Sequence, residues 1–203
     1  MVYFSPDKNY VFATDLGADK LYVYKYNSDA EHNNILLLAD SIDLKPASGP
    51  RHISFNPNGI FFYVLQELDA TLTVFSYING KIEKIQETSI QPKDFTGSNS
   101  AAHIEVTKDG KYLYATNRGD ANTISVFKVH ANGRINPVQE LYVQGEGPRN
   151  FAIDPKGNFL LVANQYTNDV IVFKRDKTTG MLSDTGKCIQ LCSPVCLVFT
   201  KNN

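Results

Sequence analysis

This sequence predicts an all-β chain, a β-propeller, and three observations predict it. A nine-residue phrase is written four times, as Ser5-Pro6-Asp7-Lys8-Asn9-Tyr10-Val11-Phe12-Ala13, Asn56-Pro57-Asn58-Gly59-Ile60-Phe61-Phe62-Tyr63-Val64, Thr107-Lys108-Asp109-Gly110-Lys111-Tyr112-Leu113-Tyr114-Ala115 and Asp154-Pro155-Lys156-Gly157-Asn158-Phe159-Leu160-Leu161-Val162. Aligned on Pro6, Pro57, Lys108 and Pro155, the copies lie 51, 51 and 47 residues apart. Between copies the chain alternates short β-branched and aromatic runs with turn residues, and no segment carries a helical period. Several short strands per unit, repeated at about fifty residues, describe radially stacked blades.

Each unit reads the same way. In the second, Arg51-His52-Ile53-Ser54-Phe55 is the inner strand, and Asn56-Pro57-Asn58-Gly59 turns it, with Gly59 supplying the positive φ that side chains resist. Residues 61–66 form the next strand, rich in the residue types a pleated surface favours. Glu67 to Ala70 turn the chain into a third strand over 71–77, and Asn79-Gly80, a favoured hairpin pair, leads to an outer strand over 82–88. Asn132-Gly133 and Thr179-Gly180 are the matching outer hairpins. The expected blades are 1–43, 44–93, 94–142 and 143–191, each a four-stranded antiparallel sheet, with 192–200 as a ring-closing strand.

Bulk properties narrow the function. Twenty basic against 21 acidic residues give a net charge of −1, which argues against a nucleic-acid or anionic-membrane surface. The apolar runs are far shorter than a membrane span, and no cleavable signal is recognised before the first strand. Cys188, Cys192 and Cys196 are expected to be buried or half-buried free thiols, fitting a reducing cytoplasm. No Gly-x-Ser-x-Gly elbow, phosphate-cradling glycine loop or paired metal-ligand histidines occur. The run Lys174-Arg175-Asp176-Lys177 reads as a solvated turn.

The repeat also indicates where chemistry sits. The starts of innermost strands line one mouth of a propeller channel, and here they carry Arg51-His52, Ala102-His103 and Arg149-Asn150. After the second strand, Asp15, Gln66, Asn117 and Asn164 are equivalent and read as scaffolding that bonds backbone across blades. Their successors Leu16, Glu67, Arg118 and Gln165 differ between blades, as site residues do. One glutamate among three arginines suits an anionic substrate with one acid/base group.

Ordered motifs along the whole chain add a resemblance. They are Gly49-Pro50-Arg51-His52-Ile53, Gln66-Glu67-Leu68-Asp69-Ala70-Thr71, Asp94-Phe95 before Ala101-Ala102, Asn117-Arg118-Gly119, Gly147-Pro148-Arg149-Asn150-Phe151, Ala163-Asn164-Gln165 and Ser193-Pro194-Val195-Cys196. In these the chain resembles the seven-bladed β-propeller lactonase family, which includes propeller-type 6-phosphogluconolactonases and carboxymuconate cycloisomerases. The resemblance implies hydrolysis of 6-phospho-D-glucono-1,5-lactone to 6-phosphogluconate, in the oxidative pentose phosphate pathway, without metal or organic cofactor. It implies Arg51 and Glu67 as catalytic, with Arg118 or Arg149 as the later channel arginine. His52 and His103 are further candidates for touching substrate, against the plainer reading that inter-blade hydrogen bonds satisfy both. The family's histidine falls just before Val2, where this chain has Met1. The third repeat, Ala102-His103-Ile104-Glu105-Val106, also departs from the family's usual order, which has an acidic or amide residue before the isoleucine and histidine after it.

Seven blades of about fifty residues need roughly 350 residues. A chain with four repeats is therefore expected to belong to a longer ring whose N-terminal part is missing, or to self-associate through its open edges, with activity of the four-repeat chain alone left open. Two other functions remain alongside hydrolysis: a carboxymuconate-type cycloisomerase, and a non-catalytic interaction module. A calcium-dependent lactonase fits poorly, since only Asp15 is acidic among the equivalent residues Asp15, Gln66, Asn117 and Asn164.

Overall fold

A computed structural model describes residues 1–30, 34–78 and 80–200. They form sixteen strands in four sheets, without an α-helix among the described residues. The first sheet is β1 (Val2–Phe4), β2 (Tyr10–Asp15), β3 (Lys20–Tyr26) and β4 (Leu36–Asp43). The second is β5 (Pro50–Phe55), β6 (Phe61–Gln66), β7 (Thr71–Ile78) and β8 (Lys81–Ser89). The third is β9 (Asn99–Val106), β10 (Tyr112–Gly119), β11 (Thr123–Val129) and β12 (Ile135–Tyr142). The fourth is β13 (Pro148–Ile153), β14 (Phe159–Asn164), β15 (Asp169–Arg175) and β16 (Leu182–Gln190). Each sheet is an antiparallel meander in chain order, which short turns permit and crossovers do not. Asn79 of the second hairpin turn lies outside the described residues; its partner Gly80 has a φ of 78°.

The cores lie between blades rather than within them. Phe12, Phe55, Phe62, Phe75 and Tyr77 fill the space between the first and second sheets. Tyr63, Leu65, Leu72, Leu113 and Phe127 do so between the second and third, and Tyr112, Tyr114, Phe151, Leu160 and Phe173 between the third and fourth. The second and third strands of the middle blades are buried on both faces, which is why they read as near-continuous apolar runs. Outer strands alternate or lie exposed.

Three expectations need correction. All three cysteines are exposed, because Cys188 lies on the outer strand β16 and the other two lie in a stretch that joins no sheet. Arg175 is not on a solvated turn: it closes β15 with 6% of its surface exposed, facing the inter-blade core while Lys174 faces outward. The stretch 192–200 carries no strand, since a strand needs a ladder and it pairs with none of the sixteen described strands. It is held instead by the Leu197 N–H, which donates to Asn150 Oδ1 at 2.8 Å.

Candidate active site

The ladders place the arginines by breaking. In β5 the register jumps between Pro50 and His52, so Arg51 is an extra residue on a β-bulge. The same break falls between Pro148 and Asn150, at Arg149, and β9 shifts opposite Ala115 and Asn117. A bulge re-aims a side chain and strengthens local twist. Here it follows Gly-Pro in two blades, with Gly49 at φ 65° and Gly147 at φ 72°. A Cβ on Gly49 would meet Leu68 Cγ at 2.7 Å, so this bend takes glycine for both reasons.

Opposite each bulge the chain leaves the second strand, and Gly49 fixes where. Its carbonyl accepts the Glu67 N–H at 2.7 Å, and the Glu67 carbonyl in turn accepts the Ala101 N–H of the next blade at 2.9 Å. This holds the Glu67 carboxylate between two guanidinium groups. Arg51 Nε lies 2.9 Å from Oε2, and Arg118 Nη2 lies 2.7 Å from Oε1. The Ser100 hydroxyl donates to Oε1 at 3.4 Å, and Arg118 Nε donates to the Ser100 carbonyl at 3.0 Å. Side-chain exposures of 14% for Arg51, 21% for Glu67 and 6% for Arg118 make this a half-enclosed cluster spanning two blades. Charge-assisted bonds in such a setting are the strong kind.

Arg149 stands apart, with Nη1 3.5 Å from Gln165 Oε1 and no carboxylate partner among the described residues. Burial depresses the Arg51 pKa most, then the neighbouring Arg118, with Glu67 opposing; Arg149 adds a smaller push in the same direction as Arg118. Three guanidinium groups thus share one field with one carboxylate.

His52 and His103 meet each other. Their Nδ1 atoms are 3.0 Å apart and their rings stand edge to face, with centroids 5.2 Å apart. His52 Nε2 lies 3.0 Å from Arg51 Nη1. A guanidinium only donates, so neutral His52 accepts at Nε2, donates from Nδ1 to His103, and leaves the second proton of the pair on His103 Nε2. Arg51 also donates to the Ala102 carbonyl, so the histidine chain and the next blade's backbone aim its head. Met1, in the place of the family histidine, offers Sδ to the Ile53 N–H at 3.2 Å.

Burial, followed by Arg51, lowers the His52 pKa to about 3 and that of His103 to about 4. Glu105 moves the other way, raised by burial to about 7. Between about pH 6.5 and 4 the unfolded histidines bind protons that the folded ones refuse, so acidification through that window destabilises the fold. Glu105 has the opposite sense, losing stability as pH rises from 4.5 to about 7. Two histidines outweigh one carboxyl, so thermal melts should show the midpoint falling as pH drops from 6.5 to 4. The double variant His52→Gln/His103→Gln should flatten that slope; an unchanged slope would mean the pair is not buried neutral.

The equivalent amides do scaffold, mostly inside their own blade rather than across blades. Asn117 bonds Asn99 and the Ser100 N–H, at 2.8 and 3.1 Å. Asn164 donates to Asp169 at 2.9 Å and to the Val143 carbonyl at 3.4 Å. The Gln66 amide lies 2.8 Å from Thr73 Oγ1, and with its carbonyl oxygen facing that hydroxyl its NH2 reaches the Val64 and Thr71 carbonyls. Asp15 is exposed and accepts from its own turn, at Gly17 and Ala18. Among the described residues no three His, Cys, Asp or Glu side chains converge as a metal site would need. No helix among the described residues is long and apolar enough to cross a membrane.

Four-stranded blades packed side by side, with an arginine-held carboxylate bridging two of them, define a propeller of the lactonase type. Residues 1–199 match the family described as lactonase, 7-bladed beta-propeller, and the chain belongs to that family. It is 41% identical over 181 residues to a 6-phosphogluconolactonase of Formosa agariphila, covering 88% of this chain and 51% of that one. It is 37% identical over 199 residues to the Bacillus subtilis 6-phosphogluconolactonase, covering 97% and 55%. Among solved structures, the periplasmic gluconolactonase PpgL of Pseudomonas aeruginosa superposes with a TM-score of 0.93 at 38% identity, over 98% of this chain and 56% of that one. The chain spans about half the length of the curated relatives it matches.

Proposed function

We propose that the Arg51–Glu67–Arg118 cluster is the working centre of a lactone hydrolase acting on 6-phospho-D-glucono-1,5-lactone. The carrying observation is the Glu67 carboxylate held at 2.9 and 2.7 Å by arginines of two blades. Glu67 takes the proton of the attacking water through a lone pair the arginines leave open. The remaining N–H groups of Arg51 and Arg118 face the charge that develops on the lactone carbonyl oxygen. Water adds to that carbon, the ring C–O bond breaks, and the released alkoxide takes a proton to give the 6-phosphogluconate carboxylate and hydroxyl. The choice between the two later arginines follows from pairing: Arg118 belongs with Glu67, and Arg149, lacking a carboxylate, takes the phosphate. The printed names of the two curated relatives support this substrate. The three exposed free thiols fit a reducing cytoplasm.

The test follows the acid released at constant pH, above the spontaneous rate, and compares phosphorylated with unphosphorylated gluconolactone. Arg149→Ala should raise KM for the phosphorylated lactone by about tenfold, leaving kcat and the unphosphorylated reaction nearly unchanged. Equal losses on both substrates would remove Arg149 from phosphate binding. A carboxymuconolactone formed from carboxymuconate, with no lactone hydrolysis, would move the site to cycloisomerisation.

A further inference from the structure

At the other end of the inner strands the repeat is broken by charge. The position of Glu105 is held by Tyr3, Ser54 and Ala152 in the other blades, matching partners Phe12, Tyr63 and Leu161 in the ladders. The position of Arg175 is held by Tyr26, Tyr77 and Val129. Both breaks line one cavity of about 150 Å³ between the third and fourth blades, walled also by Lys108, Asp109, Asp154 and Lys177.

Arg175 is more than nine-tenths buried and only partly satisfied. Nε donates to Tyr114 Oη at 2.7 Å and Nη1 to the Gly157 carbonyl at 3.1 Å, while Nη2 is buried without a partner. A guanidinium buried without an ion-pair partner is costly, and an anion in the cavity that its head lines would relieve that cost. The nearby aspartates are already occupied by their own turns. Asp109 Oδ1 accepts from Thr107 Oγ1 and the Lys111 N–H, and Asp154 accepts from the Lys156, Asn158 and Phe159 N–H groups. Among the described residues no ion pair joins the lining cations to the lining carboxylates.

We propose that this cavity is a small-oxyanion site, in which the Arg175 guanidinium with Lys108 and Lys177 binds a phosphate- or sulfate-sized group. Glu105 meets the anion as a carboxylic acid and donates to it; ionised, it repels it. The groups facing Glu105 are His103 on its own strand, Lys108 and Asp109 on the following turn, Asp154 and Lys156 on the turn after β13, Arg175 and Lys177 beyond β15, and Cys196. Lys108, Lys156, Arg175 and Lys177 outnumber Asp109 and Asp154 by two charges while Glu105 stays protonated and by one when it ionises. The anion is a free phosphate or the phosphate of a metabolite.

Sulfate is the probe, because it stays doubly charged across the pH range. Calorimetric titration of the chain at constant ionic strength should show one saturable sulfate site that weakens at least about threefold from about pH 6 to about pH 8. Arg175→Lys should weaken it about tenfold by removing the fork. Lys108→Ala/Lys177→Ala, which alters exposed ends, should weaken it with the melting point kept. Glu105→Gln should abolish the pH dependence. Displacement by inorganic phosphate alone marks a free-ion site, and equal displacement by glycerol phosphate marks a metabolite site. Arg149→Ala should leave the titration unchanged, which keeps this test separate from the channel mouth. The proposal falls if sulfate does not saturate, or if binding survives the Arg175 and lysine variants and disappears with Arg149→Ala.

Discussion

Glu67→Gln should lower kcat/KM for lactone hydrolysis by about a hundredfold to a thousandfold, the range of a positioned general base. The amide keeps the shape but has one acceptor where the carboxylate has two. Arg51 Nε and Arg118 Nη2 both point donors at this group, so one must face an NH2. The variant therefore loses the base and the clamp together, which deepens the kinetic loss. Folding should suffer far less, by about 1 kcal/mol, because the group is partly solvated and the chain around it is pinned by backbone bonds. A turnover within a few-fold of the parent would take Glu67 out of the mechanism.

Phe62→Ala should lower stability by about 3–5 kcal/mol, the cost of emptying a large aromatic site in a core that relaxes only partly. Phe62 is fully buried and stacks on Phe75 and Phe55 at 5.0 and 5.1 Å, with Phe12 edge-on at 5.2 Å. Phe12 belongs to the first blade and the other three to the second, so the cavity opens on the blade interface. For a chain of this size that cost lowers the melting point by about 10 °C. A shift of only a degree or two would mean that inter-blade packing is not what holds the blades together.

The blade pattern was legible because it rests on local chemistry. The strand read over 61–66 is the strand observed, bounded by Gly59 and the polar corner after Gln66. The pairing of Glu67 with Arg118 was half legible: the two are equivalent positions one period apart, and neighbouring blades place equivalents side by side. What the sequence did not show was that Arg118, not Arg149, turns toward Glu67, since the bulges at Arg51 and Arg149 are departures in a ladder between distant residues. Nor did it show that Arg175 turns inward from a charged run, because burial there depends on Tyr112 and Tyr114 of the neighbouring blade, whose rings it crosses at 5.6 and 5.8 Å. The exposed cysteines had no local signal either, as no spacing tells which sheet face a distant blade covers.

The central claim is that arginines of two blades and one carboxylate act as a unit. The direct measurement is a double-mutant cycle in kcat/KM for 6-phospho-D-glucono-1,5-lactone, with Glu67→Gln, Arg118→Ala and the pair. We expect the pair to lose scarcely more than Glu67→Gln alone, a coupling of about 2 kcal/mol or more. Losses that add to within about 0.5 kcal/mol would show independent residues and contradict the account.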